Sequence, residues 1–165
     1  LISSGLEEIV EGTPIADKFT QMFASTFMYN AYGEAIWPAR VVNYTGKTQY
    51  LFRINKGCLD LSDNKSVNEP MKEADKHTAF RHMIYFGDGD TDVPSMALIK
   101  GFGGYSIAVF QPYKRGARQR ALKFLTDGRA NFIAPADYSS GKKIDRCVKR
   151  ILDKIAADQR LESLI

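Results

Sequence analysis

The residues with the most chemistry in them stand together in Gly87-Asp88-Gly89-Asp90-Thr91-Asp92. Three carboxylates within five residues repel one another, and such a loop is stable when it binds a hard cation or is solvated by water. Its glycines let the backbone approach a ligand closely. The apolar run Met83-Ile84-Tyr85-Phe86 leads straight into it and suits a strand buried on both faces, as in a parallel sheet. Open α/β sheets hold their ligands just past the carboxyl ends of such strands. Taken alone, the loop would also serve as an acidic turn capping the next helix, since Asp90 and Asp92 suit its positive end. An EF-hand is excluded by counting from Asp88: the glycine and glutamate that such a loop needs at its sixth and twelfth positions are Val93 and Ile99.

Other chemical residues are more dispersed. Gly46-Lys47-Thr48 copies the end of a P-loop, but Val41 stands where the first glycine belongs. The cluster Gly101, Gly103, Gly104 precedes a strand and not a helix, so it is no dinucleotide fingerprint. His77 and His82 do not share zinc-site spacing with Cys58 and Cys147. Ser3-Ser4-Gly5 lies at the end of a short strand, and Ser3 by itself would suit a helix N-cap. Lys47 by itself would suit an exposed first-turn lysine.

These residues need elements to hold them. Gly5 to Gly12 reads as a short helix. Phe23 to Tyr29 and Ala35 to Tyr44 read as a hairpin turning at Gly33-Glu34, with Pro38 confining the second strand to an edge or a bulge. Thr45 to Lys56 reads as a helix with Gly57 as its C-cap. The polar stretch Cys58 to Lys76 reads as a surface loop with at most one helical turn. After the strand at Met83 to Phe86, a helix is expected from Val93 to about Lys100, with Pro94 accommodated in its first turn. A strand follows at Tyr105 to Phe110, then a helix at Tyr113 to Leu125 closed by Asp127-Gly128. The last elements are a strand at Ala130 to Ala134 and a helix at Lys142 to Ala157. Alternating strands and helices imply a three-layer α/β/α sandwich on a mostly parallel sheet, with residues 1–165 forming one partial core domain.

Composition narrows the function classes. An apolar content of 44% and a charged content of 25% suit a globular chain, and no apolar run reaches the ~20 residues of a membrane span. No signal peptide is legible, and two distant cysteines suit free thiols, so a cytoplasmic protein is expected. The sequons at Asn43 and Asn64 would matter only in a secreted protein. The net charge of +4 comes largely from Lys114 to Lys123 and Lys142 to Lys154. Both read as solvated helix faces, with no nucleic-acid motif beside them.

In order along the chain, Ser3-Ser4-Gly5, Lys47 and Gly87-Asp88-Gly89-Asp90-Thr91-Asp92 resemble motifs II, III and IV of the haloacid dehalogenase superfamily, closest to its phosphoserine phosphatase-like branch. The resemblance covers roughly residues 1–110. Beyond it, Asn131 to Tyr138 is similar to a stretch in uncharacterised family members. The resemblance implies a Rossmann-like core and a magnesium-dependent phosphomonoester hydrolase acting on a small phosphorylated metabolite. It gives Ser3, helped by the Ser4 amide, a phosphoryl-binding role, and makes Lys47 the cation that neutralises nucleophile and phosphate. Asp88 becomes a magnesium ligand. Asp92 becomes the second acid, fixing metal-bound water or pairing with the lysine, and Asp90 takes a minor, solvent-facing role.

The family's first motif, Asp-x-Asp, carries the nucleophile and belongs upstream of Ser3, as does the cap domain that follows it. The chain therefore reads as a core fragment without its first strand, inactive alone and prone to self-association through an uncovered sheet edge. The alternative is a non-catalytic module of the same fold, binding a partner or nucleic acid through its basic helices.

Overall fold

The structure, a computed structural model, describes residues 1–164. The chain divides into two compact units, Leu1–His77 and the residues from Thr78 on.

The first unit is built on a three-stranded sheet in the order β1-β2-β3, with β1 at Ile2–Leu6, β2 at Phe23–Tyr29 and β3 at Ala35–Arg40. β1 runs parallel to β2, pairing Ile2 with Phe23 and Leu6 with Ser25 across an irregular register. β2 and β3 form the expected antiparallel hairpin. β1 extends through Ser3, Ser4 and Gly5, so the helix expected from Gly5 is a single turn, α1, at Glu7–Glu11. β3 ends at Arg40, four residues short of Tyr44. There the Arg40 guanidinium pairs with Glu7 and donates to the Ala24 carbonyl, drawing the chain out of the ladder.

The next turn is made by Asn43. Its Oδ1 accepts the Gly46 amide at 2.7 Å and the Thr45 hydroxyl at 2.9 Å, which delays α2 to Lys47–Lys56. Gly57 closes α2 with φ +75°, as its place after the last apolar turn implied. Phe23, Val42 and Tyr50 form the core of this unit, with the Phe23 and Tyr50 rings stacked at 4.6 Å.

The stretch after α2 is organised by two cations projecting from that helix. Arg53 is only 4% exposed. Its Nη1 donates to the carbonyls of Asp60 at 2.8 Å and Asp63 at 3.1 Å, and its Nη2 donates to Asn64 Oδ1 at 3.1 Å. Lys56 Nζ donates to the carbonyls of Val67 at 2.7 Å and Glu69 at 2.6 Å. The long polar segment thus winds around α2 with its inward carbonyls satisfied by side chains, and a 3-10 turn at Glu73–Asp75 ends it.

Glu8 joins α1 to β2. Its Oε1 accepts the hydroxyls of Thr26 at 2.7 Å and Tyr29 at 2.9 Å and the Phe27 amide at 3.3 Å. These bonds, the Thr26 hydroxyl foremost, lower its pKa to about 2. A depressed folded-state pKa gives stability that is present above the ordinary glutamate value and lost as pH falls toward the depressed one. The thermal midpoint of this unit should therefore drop between about pH 4.5 and about pH 2, with a shallower drop in Glu8→Gln. Parallel midpoint curves for the two proteins would refute it.

The second unit is built on β4 at Ile84–Gly87, β5 at Tyr105–Phe110 and β6 at Phe132–Pro135, all parallel in the order β4-β5-β6. Its helices are α3 at Val93–Gly101, α4 at Ala117–Thr126 and α5 at Lys143–Glu162. β5 alternates: Ala108 packs with Met96, Ala121 and Phe124 beneath α3 and α4, while Ile107 and Val109 pack with Ile144, Ile151 and Ile155 of α5. Two-sided burial is why β5 reads as a near-continuous apolar run, and it makes this unit a three-layer α/β/α sandwich.

α4 begins later than the Tyr113 expected for it, because residues 113–116 form a turn ending in left-handed Gly116. α5 runs five residues past Ala157, supported by the Lys154–Asp158 and Arg81–Glu162 pairs. Both cysteines are free. Among the described residues no helix is long and apolar enough to cross a membrane.

Candidate functional site at the carboxyl edge of the parallel sheet

β4 delivers the acidic loop to the carboxyl end of its sheet, where Asp90–Asp92 makes one 3-10 turn that runs directly into α3. The three carboxylates part company there. Asp88 and Asp90 are exposed, whereas Asp92 is 5% exposed. Asp92 Oδ1 accepts the Tyr85 hydroxyl at 2.8 Å and its Oδ2 accepts the Asp88 amide at 3.1 Å. Burial, and then the Asp92 charge beside it, push the Tyr85 phenol far above its ordinary range, so Tyr85 remains a donor. Asp92 is therefore the carboxylate that shapes the loop, and Asp88 is left on its rim.

Gly87 makes this geometry possible. A Cβ there would lie 2.6 Å from the Asp92 Cβ and 3.1 Å from Met96 Sδ.

Asp88 lines a cavity of about 180 Å³ whose other walls come from the ends of β5 and β6 and from α4. Val109, Phe110 and Gln111 supply the wall at the end of β5, Ala136 and Tyr138 the wall just past β6, and Lys114, Ala117 and Arg120 the wall made by the turn before α4 and the start of α4. Tyr138 leans on Phe86, with ring centroids 6.3 Å apart.

Ser3, Ser4 and Lys47 belong to the first unit and the acidic loop to the second. Ser3 lies inside β1, where its Oγ accepts the Gly5 amide at 3.0 Å. It caps no helix, and its hydroxyl proton remains available to a ligand. Ser4 is exposed, and its carbonyl accepts the Ser25 hydroxyl at 3.2 Å. Lys47 stands at the first residue of α2, a helix that packs against β1, and is only 5% exposed. That burial removes the solvated first-turn reading, because lysine is almost never this deep without paired charge.

Among the described residues no group of three or more histidines, cysteines and acids is arranged to hold a metal ion. Magnesium makes no such demand: it binds through one or two carboxylates, keeps several waters and takes the rest of its shell from substrate phosphate. Exposed Asp88 beside a hydrogen-bonded Asp92 fits that pattern.

Lys114 and Arg120 escaped the sequence reading, which took Lys114 to Lys123 as solvated surface. The available signal was position, because residues directly after β5 must lie at the ligand-bearing end of the sheet.

No model of a known protein family matches the chain, and no solved structure gives a significant match. The chain is 24% identical over 159 residues to an uncharacterized protein of Borreliella burgdorferi, an alignment covering 87% of the chain and 53% of that protein. The chain thus spans about half the length of this relative.

Proposed function

We propose that the chain carries the phosphate- and metal-handling part of a magnesium-dependent phosphomonoester hydrolase of the haloacid dehalogenase type. The observation that supports this most is the division of labour within the acidic loop. At the carboxyl end of a parallel strand, a buried Asp92 fixes the backbone and leaves Asp88 on the rim of a cavity.

Asp88 would hold the ion, with Asp92 fixing its water. When bound, magnesium would supply positive charge to the phosphate oxygens. Within the first unit, the Ser3 hydroxyl, the Ser4 amide and the Lys47 ammonium would offer donors and charge to a phosphoryl oxygen, since phosphoryl transfer depends on positioning and charge neutralisation. The substrate would be a small phosphorylated metabolite, and the nucleophile would come from sequence outside these residues.

The test uses the protein at its full natural length. Asp88→Asn is expected to lower magnesium-dependent hydrolysis of p-nitrophenyl phosphate by about a hundredfold or more. Turnover equal to wild type, with the fold intact by circular dichroism, would sink the proposal. A second reading, a non-catalytic module binding a partner through basic helices, is favoured by the unpaired cations of α4. It expects no magnesium-dependent turnover in the full-length protein and no effect of Asp88→Asn on partner binding.

A further inference from the structure

The two basic helices of the second unit differ in how their charges are met. Along α5, Lys149 pairs with Asp145, Arg150 with Asp153 and Lys154 with Asp158. Around the start of α4, Lys114, Arg115, Arg118, Arg120 and Lys123 follow one another with no acid between them. Not one of the five has an ion pair among the described residues.

Unpaired cations on a helix face are ordinary when they point to open water. Two of these do more, because Lys114 and Arg120 line the same cavity as Asp88. Gln111 and Tyr138 add neutral polar groups to the lining, and Asp88 is its one acid. One wall is thus suited to a cation and another to an anion. The volume of about 180 Å³ falls below the roughly 300–1,000 Å³ of a pocket enclosing a whole drug-sized ligand. It suits a single small group. Arg120 also lines the adjoining cavity, where Lys123 and Arg129 stand with the acids Asp90 and Asp127, so the acid-poor cationic wall is confined to the first cavity.

From this arrangement we infer that the Lys114–Arg120 wall is a subsite for a second anionic group, a carboxylate or a phosphate, on the part of the substrate that leaves. The inference rests on the phosphohydrolase reading only in calling the ligand a substrate. The anion site itself stands on the cavity and its unpaired cations. A guanidinium and an ammonium bind such a group by charge-assisted hydrogen bonds. The preferred substrates are then phosphomonoesters with an acid group on the alcohol portion, and simple alkyl phosphates are poor.

The test is titration of the full-length protein, without magnesium, with inorganic phosphate and separately with succinate, followed by amide NMR. Both probes are expected to shift amides of residues 111–120 and 136–138. The double variant Lys114→Gln/Arg120→Gln is expected to weaken binding about tenfold or more, while Asp88→Asn leaves it unchanged or strengthens it. Phosphate binding without succinate binding narrows the second group to a phosphate. Equal affinities in the double variant and wild type overturn the subsite, whatever Asp88→Asn does to turnover. Loss of affinity in the double variant with turnover intact in Asp88→Asn keeps the anion site and removes only the phosphohydrolase reading. Far tighter, steeply salt-dependent binding of a single-stranded RNA that is lost in the same variant overturns the small-anion assignment in favour of a nucleic-acid face.

Discussion

Gly87→Ala is expected to destabilise the second unit by about 3 kcal/mol, at the upper end of ordinary overpacking. The new methyl group would stand 2.6 Å from the Asp92 Cβ and 3.1 Å from Met96 Sδ. Neither neighbour can yield at little cost. Met96 is fully buried in the α3–α4 layer, and Asp92 is tied by both carboxylate oxygens. For a unit of this size, each kcal/mol moves the thermal midpoint by roughly 4–8 °C, so a fall of about 12–24 °C is predicted. Gly89, two residues on, is the internal control. Its φ is −147°, and a Cβ there would meet nothing within 4 Å. Gly89→Ala should therefore leave the midpoint within a few degrees of wild type. Equal losses in the two variants would show that the loop is sensitive to any side chain, and the close approach at Gly87 would no longer explain it.

Arg53→Met should cost about 4 kcal/mol, because it removes a buried charge and leaves its acceptors facing an apolar chain. The guanidinium bridges Asp60, Asp63 and Asn64 from a position 4% exposed. Methionine retains much of the stem but donates nothing to these oxygens. Lysine should rescue only a small part, since one ammonium cannot reproduce the spread of a planar fork. Two measurements check this. Chemical denaturation should show the loss in the first unit, and limited proteolysis should find new cleavage within residues 58–69 while the second unit stays intact. A variant within about 1 kcal/mol of wild type and equally resistant to protease would mean that the segment is held by other contacts.

Much of the second unit was legible because its residues obey one strong rule each. Tyr105 to Phe110 is apolar throughout because β5 is covered on both faces, and the structure has this strand where the run lies. Pro94 sits in the first turn of α3, where a missing N–H costs nothing. The first unit was harder. Ser3-Ser4-Gly5 looked like a strand end because glycine and serine favour turns, but parallel pairing with β2 carries the strand on to Leu6. Cys58 to Lys76 carried no periodicity at all. Its order comes from local turns at Asp60 and Asp63 together with Arg53 and Lys56, and nothing local in the segment announces that two side chains from the preceding helix will bond its carbonyls.

Of the candidate site, the acidic loop was visible from residue types alone, whereas the distinct parts played by Asp88 and Asp92 were not. Three aspartates spaced by two residues look alike until one of them is buried. Lys114 and Arg120 were hidden for a related reason, since a basic run reads as solvated surface until a cavity forms beside it.

The bonds from Tyr85 and the Asp88 amide to Asp92 mean that the loop is already ordered before anything arrives. A ligand entering there meets a finished concavity and has no segment to fold. Its arrival should leave the heat capacity of the protein nearly unchanged, in contrast to the large negative change seen when a disordered loop condenses around its guest. The discrimination such a cradle exerts is that of a rigid mould: a group of the wrong size is turned away by shape, because the walls have little freedom to adjust to it.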